Sequence, residues 1–190
     1  MQKISDLITV VDNFVDKSFC KKTYNFLLGK TNCPYYNDNN MPWFIGNNVF
    51  YYNIDNKALN KKVIEINYNV AELLTTIHKV QVYPHFCDLV LWREGQSMER
   101  HVDDGSNSNN REDLNMRKYS AILYLNDDYI GGKTFIKVTN ETDYFSVPKT
   151  GTLVMFTGDS RSAHGVTKIE KGNRGTIAMW FCTDKQFCQM

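Results

Sequence analysis

Residues 80–92 read VQVYPHFCDLVLW, and here the period of the chain changes from that of helices to that of strands. Downstream the same β-branched and aromatic chemistry returns in 118–125 (KYSAILYL), 133–138 (KTFIKV), 151–157 (GTLVMFT), 163–169 and 174–182 (RGTIAMWFC), separated by turns such as NDDYIGG. Upstream, Leu59, Val63, Ile66, Val70, Leu74 and Ile77 step by three and four residues. That is the period of a helix laid against a sheet, and Asp55 or Asn56 is placed to cap it. An earlier helix is expected over Asp16–Leu28, with Phe19, Phe26 and Leu27 on one face and Gly29 as its C-cap. Residues 32–42 are turn chemistry. The expected fold class is therefore mainly β with N-terminal helices (α+β). A sandwich or jelly roll buttressed by helices fits better than alternating βαβ units.

The 190 residues suit one domain with a single sizeable core. Lys and Arg number 22 against 21 Asp and Glu, so no strong field attracts nucleic acid or an anionic membrane, and neither is expected as a partner. Asp6 and Asp12 bracket an apolar stretch too short for a signal-peptide core. Five cysteines without a C-x-x-C argue against a disulfide scaffold or a structural zinc site, so a reduced, cytoplasmic protein is expected.

Two of the four histidines have informative surroundings. In Arg100-His101-Val102-Asp103 the imidazole and carboxylate are two residues apart, which on a strand puts both on one face. His164 follows a strong strand, sixty-one residues beyond Asp103. A proximal His-x-Asp and a distal His can form a facial two-histidine, one-carboxylate site, which leaves three adjacent positions open on iron. Of the other histidines, His78 reads as a solvated cation at a helix C-terminus and His85 as a core residue. Asp127-Asp128 reads as a solvated turn pair.

Several ordered segments extend this motif. Gly95-Gln96 precedes His101-x-Asp103, then come Arg117, Tyr124-Leu125-Asn126 and Gly131-Gly132-x-Thr134. Pro148-x-x-Gly151-Thr152-Leu153-x-x-Phe156, His164-Gly165-Val166, Lys171-Gly172-Asn173-Arg174 and Trp180 follow. In this order the chain resembles the prolyl 4-hydroxylase-like branch of the Fe(II)/2-oxoglutarate dioxygenases over about residues 86–184. The resemblance implies a double-stranded β-helix catalytic core over 80–190, carried by a helical support region over 1–79. It implies Fe(II) on His101, Asp103 and His164, with 2-oxoglutarate and O2 as co-substrates and ascorbate as a reductant. By the same resemblance Arg174 anchors the far carboxylate of 2-oxoglutarate and the Tyr124 hydroxyl bonds the co-substrate. A guanidinium suits that task, because it offers parallel N–H donors and stays charged.

The family's usual Tyr-x-Pro-Gly-Gln-x-Tyr is altered here, with Trp92, Glu94 and Met98 at the Tyr, Pro and second Tyr positions, and Ile136 replaces a usual Phe. These changes leave the metal ligands alone and bear on the substrate. The implied partner is a proline-containing peptide or protein, hydroxylated at C4 with release of succinate and CO2, by a monomer or weak homo-oligomer. Arg161, Trp180 and Trp92 are the candidate substrate contacts. Residues 104–116 (DGSNSNNREDLNM) are placed to act as a lid. Three alternatives stand beside this reading: a hydroxylase of a free amino acid, a non-catalytic binding module, and a zinc hydrolase with Glu99 as its base.

Overall fold

The structure is a computed structural model that describes residues 1–30, 47–106 and 114–190. The turn-rich stretch 32–42, Trp43, Phe44 and most of the expected lid therefore lie outside the described residues. The elements run β1 (Gln2–Lys3), β2 (Ile8–Val11), α1 (Lys17–Gly29), β3 (Asn47–Phe50), α2 (Lys57–His78) and β4 (Tyr83–Trp92). Then follow β5 (Met98–His101), β6 (Tyr119–Tyr124), β7 (Ile130–Gly131), β8 (Thr134–Lys137) and β9 (Asp143–Phe145). The chain continues through β10 (Leu153–Thr157), β11 (His164–Val166), β12 (Ile169–Lys171) and β13 (Arg174–Cys182).

Both helices begin where their caps direct. The Asp16 carboxylate accepts from the N–H of Phe19, and the Asn56 side chain from that of Leu59. Gly29 is the last residue of α1 rather than its cap, which is Lys30. His78 is not the solvated cation expected: its ring stacks on Tyr119 at 4.4 Å, and burial lowers its pKa. His85 is buried as expected, with Nδ1 against the Phe187 carbonyl.

The strands form a seven-stranded sheet in the order β1-β2-β10-β6-β13-β4-β3 and a four-stranded sheet in the order β5-β11-β8-β9. Strands β12 and β7 make a separate pair. All pairings are antiparallel. Period-2 alternation divides the large sheet into two faces. Cys87, Leu89, Leu91, Ala121, Leu123, Met155, Ile177, Met179 and Phe181 meet the apolar stripes of α1 and α2 in one core. The other face, with Val90, Trp92, Tyr124, Val154, Phe156 and Ala178, closes against the smaller sheet. Three strands before residue 79 were not legible as strands. β1 and β3 are edges, and β2 joins the sheet only through β10, a partner about 140 residues away.

Candidate metal centre

At the ends of β5 and β11, neighbours in the smaller sheet, His101 pairs directly with His164. The strand expected to carry both His101 and Asp103 stops at His101. Asp103 sits in the following turn, because the N–H groups of Asp103 and Asp104 both donate to the Gly158 carbonyl and draw the chain off the sheet. The two side chains nonetheless converge. His101 Nε2 lies 3.7 Å from Asp103 Oδ1, and His164 Nε2 lies 3.4 Å from Asp103 Oδ2. One ligand atom from each of the three residues lies within 4.8 Å of the others, the only such group among the described residues.

The protonation pattern suits a divalent cation. His101 Nδ1 faces the Glu99 carbonyl at 3.0 Å and His164 Nδ1 faces the Ser162 carbonyl at 3.2 Å. A carbonyl only accepts, so each Nδ1 carries the proton and each Nε2 keeps its lone pair towards Asp103. Burial pushes the His164 pKa down to about 4, against the pull of Asp103, so the ring is neutral at pH 7. Burial pushes the Asp103 carboxyl up, but His164, His101, the Ser120 hydroxyl and Arg117 together hold it below the usual carboxylate range. Two neutral imidazoles and one carboxylate form a donor set that Fe(II) accepts. Phe156 packs on His164 with ring centroids 4.5 Å apart, making an apolar wall.

Ser120 was not singled out in the sequence. Its hydroxyl donates to Asp103 Oδ2 at 2.6 Å in a buried contact. The available signal was strand alternation, since Ser120, Ile122 and Tyr124 share one face of β6.

Arg174, Tyr124, Thr134 and Ser146 come together deeper in the barrel. Arg174 is 1 % exposed and donates from Nη2 to Thr134 Oγ1 at 3.0 Å. The Tyr124 hydroxyl bonds Thr134 Oγ1 at 2.7 Å and also the Ser146 hydroxyl. Among the described residues no carboxylate lies within ion-pair distance of Arg174, and its Nε is buried without an acceptor. A buried, unpaired guanidinium is costly unless an anion joins it. Thr134 lies two residues along β8 from Ile136, which pairs with His164. That is a rise of about 7 Å, roughly the length of a five-carbon diacid. A buried guanidinium without a carboxylate partner among the described residues, bonded to Thr134 on the strand that pairs with that of His164, fits a small dicarboxylate such as 2-oxoglutarate.

The three substrate candidates are placed differently. Trp180 is half-buried and stands beside Ser120 and Phe86 across the sheet, with the Arg117 guanidinium 4.5 Å from its ring centroid. Trp92 is buried beside Val90, Ile169 and Ala178. Arg161 is exposed and holds Asp159 through Nε and Nη2, so it does not join the cluster. Cys20, Cys87 and Cys182 are buried, and burial raises their thiol pKa values, which leaves them poor nucleophiles.

A model of the 2OG-Fe(II) oxygenase superfamily matches residues 79–182. Among curated proteins, the chain is 37% identical to prolyl 3-hydroxylase 2 of Homo sapiens over 76 residues, 39% of this chain and 11% of that protein. It is 44% identical to prolyl 3-hydroxylase 1 of Gallus gallus over 70 residues, 36% of this chain and 10% of that protein. The matched part is thus about a tenth of these relatives' length. Among solved structures, a Pseudomonas putida prolyl-4-hydroxylase is similar with a TM-score of 0.70 at 16% identity, covering 93% of this chain and 92% of that one. A Trichoplax adhaerens prolyl hydroxylase, solved with a hypoxia inducible factor peptide fragment, gives 0.72 at 15% identity over 96% and 86%. These likenesses give the fold, a double-stranded β-helix.

Proposed function

The chain belongs to the 2OG-Fe(II) oxygenase superfamily, and on that premise we propose that it hydroxylates a prolyl residue of a peptide or protein. The observation that carries this reading is that the His101, Asp103 and His164 group shares its fold with a buried Arg174 that has no carboxylate partner among the described residues and is held by Thr134, two residues along β8 from the strand partner of His164. Bound iron and 2-oxoglutarate supply, with O2, the oxidation of an unactivated C–H bond, and 2-oxoglutarate leaves as succinate and CO2. The chain's own residues hold and orient. His101, Asp103 and His164 would hold the metal, with two neutral imidazole nitrogens and one carboxylate as donors. Ser120 fixes the Asp103 carboxylate, Arg174 takes the far carboxylate, and Phe156 and Ile136 keep water away from the centre.

A peptide substrate is supported by an aromatic row leading outward from the metal ligands. Phe156, Ser120, Trp180 and Phe86 are register partners across four strands. Phe86 then meets Phe50 at 5.1 Å and Tyr52 at 6.1 Å between ring centroids, and Tyr52 is 59% exposed. An extended prolyl segment has few donors and little conformational entropy to lose, so it suits such a surface.

The ring carbon is a finer choice. The motif resemblance supports C4, whereas the curated relatives carry the name prolyl 3-hydroxylase and favour C3 as a second reading. Incubation with Fe(II), ascorbate, 2-oxoglutarate and proline-containing peptides is expected to give succinate and a peptide one oxygen heavier. Nuclear magnetic resonance of the product separates 3- from 4-hydroxyproline. Oxygen found on free proline, with none on any peptide, would move the chain to the small-molecule hydroxylases. Iron binding without any peptide-stimulated or amino-acid-stimulated succinate would favour a non-catalytic module.

A further inference from the structure

We propose that Tyr129 is a further binding residue for the far carboxylate of the co-substrate and closes that end of its pocket. The inference rests on the 2-oxoglutarate reading above and goes beyond it to a residue that no motif marks, in the turn between β6 and β7. Most polar groups around Arg174 are already committed. Arg174 Nη2 serves Thr134, and the Tyr124 hydroxyl serves Thr134 and Ser146. Two buried donors are left over, the Arg174 Nε–H and the Tyr129 hydroxyl: neither meets an acceptor with hydrogen-bond geometry among the described residues, and the group the Tyr129 oxygen faces is the Arg174 guanidinium, itself only a donor. Buried donors rarely stay unpaired, and a carboxylate offers the two acceptor oxygens that this pair lacks.

The backbone is shaped to bring the two together. Gly132 has φ +59, and a Cβ there would come within 3.0 Å of Tyr129 Cε2 and 3.2 Å of Arg174 Cδ. The edge of the phenol ring and the stem of the guanidinium thus converge over one glycine, with Ile169 as the third neighbour at 3.0 Å. Burial pushes the Tyr129 pKa up while the Arg174 guanidinium beside it pulls the other way, and the phenol remains a protonated donor at neutral pH. Closing the pocket with a ring also limits the length of the diacid that fits.

Calorimetric titration of the anaerobic, Fe(II)-loaded protein tests this directly. The ligands are 2-oxoglutarate and 2-oxobutyrate, which keeps the 2-oxo acid head and lacks the far carboxylate. Tyr129→Phe is expected to weaken 2-oxoglutarate by roughly ten- to a hundredfold, the range for a hydrogen bond to a charged group. Its 2-oxobutyrate binding, iron affinity and melting temperature should match those of the wild type. Tyr129→Ala should shift the preference towards 2-oxoadipate, which is one carbon longer. Unchanged 2-oxoglutarate binding in Tyr129→Phe, or equal weakening of both ligands, would overturn the assignment of Tyr129 alone. A wild-type protein that binds iron but neither 2-oxo acid would overturn the co-substrate reading, and this inference with it.

Discussion

Ser120 Oγ donates to Asp103 Oδ2 across 2.6 Å, and both side chains are buried. The contact engages one carboxylate oxygen and leaves Oδ1 facing His101 Nε2. Hydrogen-bond partners of this kind typically contribute ten- to a hundredfold in metal affinity. Ser120→Ala should weaken Fe(II) by about that factor, and Ser120→Thr, which keeps the hydroxyl, should restore most of it. Competition against a chelator of known affinity measures both. Wild-type affinity in Ser120→Ala would show that the hydroxyl does not orient the ligand.

His101 and His164 each bring an Nε2 lone pair to the same carboxylate. Replacing either with Ala should abolish stoichiometric Fe(II) binding while leaving the far-ultraviolet circular dichroism unchanged. His101 is half-buried at a strand end, so its loss should disturb the fold less than that of buried His164. Retained iron affinity in either variant would refute the ligand set.

Arg174 is a buried cation with no carboxylate within ion-pair distance among the described residues. Truncating one partner of a buried charge pair costs about 2–5 kcal/mol. Arg174→Ala should therefore raise the 2-oxoglutarate dissociation constant by roughly two to three decades and leave iron binding intact. Without ligand, the same variant relieves an unpaired charge and should melt no lower than the wild type. Unaltered 2-oxoglutarate affinity would mean that another group anchors the co-substrate.

Asp88 lies inside the barrel on β4, and its pKa is raised to about 7, chiefly by burial. Its Oδ2 accepts from Asn48 Nδ2 at 2.9 Å, while Asp88 Oδ1 and Asn48 Oδ1 are both buried without partners. A proton on Asp88 Oδ1 would give both oxygens a bond, which the ionised form cannot do. The folded pKa exceeds the unfolded one, so this contribution to stability is present below pH ~4 and is lost as pH rises to about 7. Asp88→Asn supplies an N–H permanently and removes the charge. It should stabilise the fold at pH 8 by up to about 4 kcal/mol, with little gain at pH 4. Denaturant melts at the two pH values check this, and an equal shift at both would exclude the ionisation as its cause.

Gly165 follows a metal ligand on β11, and a Cβ there would meet the Met98 carbonyl at 2.6 Å, the Glu99 carbonyl at 2.9 Å and the Phe135 ring. Two of these are backbone atoms that cannot swing aside. Gly165→Ala should cost about 1–3 kcal/mol and push β5 away from β11. Since the Glu99 carbonyl also receives the His101 ring N–H, iron affinity should fall with stability. A variant with wild-type melting and wild-type iron affinity would contradict this packing.

The periodic segments were legible because their reason is local. The six apolar residues of α2 and the alternating strands β4, β6, β10 and β13 each carry their own burial pattern. The three candidate ligands that the structure brings together were legible for another reason, since a short His-x-Asp and a distant His within an ordered motif series need no coordinates to be seen. Strand spacing, however, was the wrong reason for the convergence of His101 and Asp103, which a turn anchored on Gly158 brings about.

By itself, the sequence determined the fold class and the two helices, and it singled out His101, Asp103, His164 and Arg174 as candidates. Each depends on residue type and on order along the chain. The tertiary structure alone decided that Ser120 holds Asp103, that Arg174 is buried without a carboxylate, and that Tyr129 faces the same space. It also decided that Arg161 turns aside to Asp159 and that β2 joins a strand from the far end of the chain. Such facts depend on which side chains meet after the sheets close. Charge, burial and hydrogen-bond satisfaction belong to those meetings, not to any residue alone.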